Sequence, residues 1–171
     1  MADLRLIAAA AGAAALAGCG RAGAAPDQAS GLTPPAGWQA LPPIAAAARA
    51  ALGAEVDGAE AWGEPAMGCY AVWLAIRASG GAEAIAGQVV AGFSAAAGSS
   101  AGSAGTMIVN DVAAPSGDEG LLALAFERGD HRGRLRARLG GGRIAALACF
   151  ANQREPLACE AACTAFLGAL R

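Results

Sequence analysis

The chain has 171 residues, 56% of them hydrophobic by a count that alanine dominates, and a formal net charge of −2 at pH 7. That length suits one domain behind a leader and is too short for two full enzyme domains. The charge lacks the cationic excess that nucleic-acid binders show, so no nucleic-acid partner is expected. Past the N-terminus, no run reaches the ~18 apolar residues of a spanning helix.

The first twenty residues read "MADLRLIAAAAGAAALAGCG". Arg5 and the amino terminus outweigh Asp3, an apolar stretch follows from Leu6 to Gly18, and small residues close it, which is the pattern of an export signal over 1–18. Its last four residues, Leu16-Ala17-Gly18-Cys19, resemble the lipobox of bacterial lipoproteins. The resemblance implies diacylglyceryl transfer to the Cys19 thiol, signal peptidase II cleavage between Gly18 and Cys19, and acylation of the new amino terminus. Two or three acyl chains hold a protein stably where one binds reversibly. The residue after the cysteine is Gly20 and not Asp, which in the sorting rules of enteric lipoproteins implies the outer membrane, facing the periplasm, over the inner one.

Residues 19–37 carry the lipidated cysteine and a small, polar, proline-containing stretch that reads as a flexible tether, with one α+β domain over 38–171. Folding is expected to start near Trp38. Ile44, Ala48 and Leu52 recur at helical spacing behind Pro43. "GCYAVWLAIRA" (68–78) is apolar on both faces and reads as a central strand. Ile85, Val89, Val90 and Phe93 mark a helical face that "GSSAGSAG" (98–105) ends. "TMIVNDVAA", "LLALAFE", "RLRARL" and "RIAALACF" then read as an antiparallel meander, and Pro156 opens a closing helix with Cys159, Ala162, Cys163, Phe166 and Leu170 on one stripe. The sum is a mainly antiparallel sheet with helices packed on it. This order is similar to that of PsbP-like α/β sandwiches, a likeness of topology that implies a small exported domain and carries over no functional residue.

Four cysteines remain beside Cys19: Cys69, Cys149, Cys159 and Cys163. In an exported chain an even count reads as two disulfides. A Cys159–Cys163 bridge would span one turn of a helix and constrain little, so pairing each outward to Cys69 and Cys149 is expected, in either combination. The spacing C-x9-C-x3-C fits neither a zinc site nor a C-x-x-C redox centre, and no metal or cofactor is expected.

Arg132, Arg134, Arg136 and Arg138 alternate with Leu135, Ala137 and Leu139, which puts the arginines on the face of a strand away from the core. Guanidinium forks match phosphate and carboxylate, so this stripe is the candidate anion site, for an anionic glycan or lipid or an acidic envelope protein. Equally, it reads as a solvated face paired with acids such as Glu127 that guards a sheet edge. Catalytic signs are thin. His131, the lone histidine, falls in a turn without an orienting partner, Glu60 and Glu64 are a bare carboxylate pair, and "GGG" (140–142) is a turn. No catalytic residue is assigned. The expected function is non-enzymatic binding or scaffolding at the cell envelope, held to the membrane by the lipid, and the alternative is an exported hydrolase or thiol-redox enzyme without a recognisable motif.

Overall fold

A computed structural model describes residues 28–52, 55–87, 89, 107–113, 120–128, 131–152 and 156–170. The leader, Cys19, the start of the tether, Val90, Phe93, the 98–105 breaker and the Gly129-Asp130 turn lie outside the described residues. Among the described residues no helix is long and apolar enough to cross a membrane.

Among the described residues, seven strands form one antiparallel sheet: β1 (Gln39–Ala40), β2 (Val56–Glu64), β3 (Cys69–Arg77), β4 (Met107–Ala113), β5 (Gly120–Arg128), β6 (His131–Gly140) and β7 (Arg143–Asn152). Their spatial order is β1-β2-β3-β7-β6-β5-β4, so β7 closes the gap between an N-terminal hairpin and a C-terminal meander. Helix α1 (Pro42–Leu52) precedes β2, a helical segment α2 covers 82–87, and α3 (Pro156–Gly168) ends the chain. The result is the expected α+β arrangement of helices on a mainly antiparallel sheet.

Each element follows from its residues. The alanine run after Pro42 and Pro43 is the strongest helix-forming composition available, and Arg49 sits in the last turn where the helix dipole favours a cation. β3 is apolar on both faces because both are covered. Val72, Leu74 and Ile76 join one core, with Ile44 and Ala48 of α1 and Ile85 of α2, while Ala71, Trp73 and Ala75 join a second with Phe166 and Leu167 of α3. Gly141 and Gly142 connect β6 to β7 with φ of 59° and 71°, the conformation of a two-residue hairpin turn that side-chain-bearing residues resist.

Three expectations change. The stretch 56–64, assigned to no element from the sequence, is the nine-residue strand β2, paired along its length with β3. Among the described residues, contacts to the sheet are already made by Gln28, well ahead of Trp38. The Gln28 N–H donates to the Asp57 carbonyl at 2.9 Å, and Ser30 donates to Glu60 from its N–H at 2.9 Å and from its hydroxyl at 2.6 Å. β6 is an interior strand between β5 and β7, so its charges guard no edge. Its arginines therefore need another account.

Candidate functional site: an arginine face beside a bridged helix

The face of the sheet that carries α3 is built from alternate residues of each strand. Direct partners in register are Trp62, Ala71, Cys149, Arg134 and Ala125, crossing from β2 to β5. On this face β3 and β7 present Ala71, Trp73, Leu147 and Cys149, which are apolar and pack with α3, β2 presents Glu60 and Glu64 on either side of Trp62, and β6 presents the arginines.

The helix is fixed to its half of the face by two disulfides, Cys69–Cys159 and Cys149–Cys163, each with a Cα–Cα distance of 5.6 Å. The pairing is outward, one bridge to β3 and one to β7, and this settles which of the two outward combinations forms. Phe166 anchors the same contact, its ring edge-on to Trp62 at 5.4 Å and to Trp38 at 6.1 Å between centroids. All four sulfur-bearing residues are buried, which removes them from solvent and suits structural bridges.

Next to the helix stands the arginine stripe, as its alternation required. Leu135, Ala137 and Leu139 point into the core, and Arg132, Arg134 and Arg138 are exposed with Arg136 half-buried. Alternate residues of a strand are about 7 Å apart, so the guanidinium groups rise in a regular row. Its first two members are engaged. Arg132 Nε lies 3.1 Å from Glu127 Oε1, its cross-strand partner, and Arg134 donates to Glu160 Oε1 at 3.0 Å and to Thr164 Oγ1 at 3.4 Å on α3. Both pairs are well exposed, at 59% and 36% for the first and 54% and 50% for the second, so each contributes little stability.

Beyond Arg136 the stripe enters a groove of about 680 Å³. Arg138 and Arg143 supply its cationic wall, Trp73, Leu121 and Leu170 its apolar surfaces, and the Gln28–Ser30 segment its far side. Leu121 is the one large apolar side chain among the described residues that stands well exposed, at 41%. Among the described residues, no acid forms an ion pair with Arg136 or Arg143. Arg77, which faces Arg143 in register, is paired through Nε to Asp57 Oδ1 at 3.0 Å. Asp57 is 6% exposed, sits at the β2 bulge, and cancels one of two like charges that would otherwise stand opposite each other. Chemically, the groove offers guanidinium donors next to apolar surface, which suits an anion carrying hydrocarbon.

The other sequence candidates do not assemble. Glu60 holds Ser30, and Glu64, four strand residues along, is about 13 Å away. His131 opens β6, half-buried and edge-on to Phe150 at 6.5 Å, and not in an exposed turn. No cluster of three or more potential metal ligands occurs among the described residues. Sequence reasoning missed Arg143 and Arg77 because they stand alone in their strands; only sheet register brings them to the end of the stripe. The Arg77↔Arg143 pairing leaves no sequence-local trace. No family model and no curated protein matches the chain.

Proposed function

We propose that the protein is a lipoprotein of the cell envelope, anchored through Cys19 in the outer membrane and facing the periplasm, whose domain binds an anionic partner and is not an enzyme. The observation that carries the reading is cysteine use. Cys69, Cys149, Cys159 and Cys163 are consumed by two bridges, which suits an oxidising compartment and leaves Cys19, within the lipobox-like Leu16–Cys19, outside them. The arginine row and the groove at its end support the binding part of the reading, since guanidinium groups take phosphate and carboxylate in a bidentate manner.

Mass spectrometry of the protein purified from native membranes tests the anchor. The expected N-terminal peptide begins at Cys19 and carries the mass of two or three acyl chains, and incorporation of a palmitate analogue is lost in Cys19→Ser. A mature N-terminus elsewhere, with Cys19 unmodified, overturns the reading.

A further inference from the structure

Gln28, where the described chain begins, packs directly on the face that carries the arginines. Its carbonyl oxygen lies over Gly58, where an added Cβ would collide with it, and its N–H is bonded to Asp57. The same residue lines the groove with Arg138 and Arg143. Eight residues lie between Cys19 and Gln28, a reach of at most about 32 Å when fully extended. A domain of this size is roughly 35 Å across. An anchor at Cys19 therefore holds Gln28, and the groove that it lines, within one domain width of the bilayer.

From this geometry we infer that the open half of the α3 face, centred on Arg136, Arg138 and Arg143, docks on the phosphate headgroups of the leaflet that holds the anchor. The inference rests on the anchoring of Cys19 and adds the ligand and the orientation. Three features converge on a lipid surface in particular. The cations stand along a strand and one wall of an open groove and not in a closed pocket. Leu121, in register with Arg138, is exposed on the same surface, and an apolar side chain there suits the acyl boundary beside the headgroups. Arg136 and Arg143 find no acid among the described residues, so their charge is not spent within the fold. Arg49 lies on α1, against the opposite face, and does not reach the leaflet in this orientation.

Cys19 is the one cysteine outside the bridges, so the mature protein can be coupled through it to a maleimide lipid, and the orientation then reads out independently of natural acylation. Phenylglyoxal footprinting of arginines compares phosphatidylcholine vesicles with vesicles that also contain phosphatidylglycerol. Arg136 and Arg143 are expected to label about fivefold more slowly on the anionic vesicles, the factor to which ~1 kcal/mol per basic residue near such a surface converts. Arg49 is expected to label equally on both, and high salt is expected to erase the difference. Equal labelling of Arg136 and Arg143 on the two vesicles overturns the docking, as does protection of Arg49 to the same degree. Protection by dissolved inorganic phosphate on neutral vesicles, matching that by anionic lipid, would assign the site to a free anion and likewise overturn it. An unacylated Cys19 in the native protein sinks the anchor while this footprint stays readable.

Discussion

On β7 the residues facing α3 are Ala145, Leu147, Cys149 and Ala151, and on β6, its neighbour, the same-face residues are Arg138, Arg136, Arg134 and Arg132 in direct register with them. Both strands obey the same two-residue period and send equally apolar side chains to the opposite core. The small and apolar set on β7 accepts a helix at close range, where Leu147 and Cys149 are almost wholly buried. Arginine cannot be buried that way without a partner for its charge, so the helical layer stops at β6 and meets it only through Glu160 and Thr164. Residue choice on one strand thus decides where a covered face becomes an open, cationic one.

The covered half is where substitutions should cost most. Replacing Cys69 and Cys159 together by Ala should lower stability by about 4 kcal/mol, and replacing Cys149 and Cys163 by about 3 kcal/mol, because the first pair closes a separation of 90 residues and the second of 14. Urea unfolding fitted with its own slope for each variant gives both values, and a larger loss for the shorter loop would refute the chain-entropy account. Phe166→Ala, which empties the space between Trp38 and Trp62, should cost about 3 kcal/mol in the same assay.

Two milder changes probe the margins. Glu60→Ala removes the acceptor of both Ser30 bonds and should cost about 1 to 2 kcal/mol. Limited proteolysis within residues 28–37 should accelerate with it, and an unchanged cleavage rate would mean that other contacts hold the segment. On the open half, Arg134→Ala should alter stability by no more than about 0.5 kcal/mol, since both groups of its ion pair are half-exposed. A loss of 2 kcal/mol there would make the stripe a structural device and dissolve the contrast between the halves.

Much of this was legible in the chain. The alternation of Arg134, Arg136 and Arg138 with Leu135, Ala137 and Leu139 sorts itself onto two faces, because a strand's period leaves no other arrangement. The stripe of Cys159, Cys163 and Phe166 on α3 is equally local, whereas Leu170, expected on the same stripe, lies past the helix end at Gly168 and packs into the same core. β2 was not legible: "VDGAEAWGE" is rich in Gly, Ala and acids, which have weak strand propensity, and it is a strand because β3 offers it a complete row of partners. His131 was misplaced because a Gly-Asp-His-Arg-Gly string reads as a turn until the register with Asn152 draws its last three residues into β6.

By itself, the sequence determined the periodic facts: which residues share a face, which helix carries cysteines toward the sheet, that those cysteines pair outward, and the presence of a lipobox-like Cys19 ahead of the domain. Only the tertiary structure decided which strand each cysteine meets, that β6 lies inside the sheet, that Arg143 joins the stripe, and that Gln28–Ser30 lies against the same face. Periodicity is carried by neighbours along the chain and survives without a fold. Register and strand order join residues far apart in sequence, and they exist only once long-range pairing has chosen among alternatives that no local pattern distinguishes.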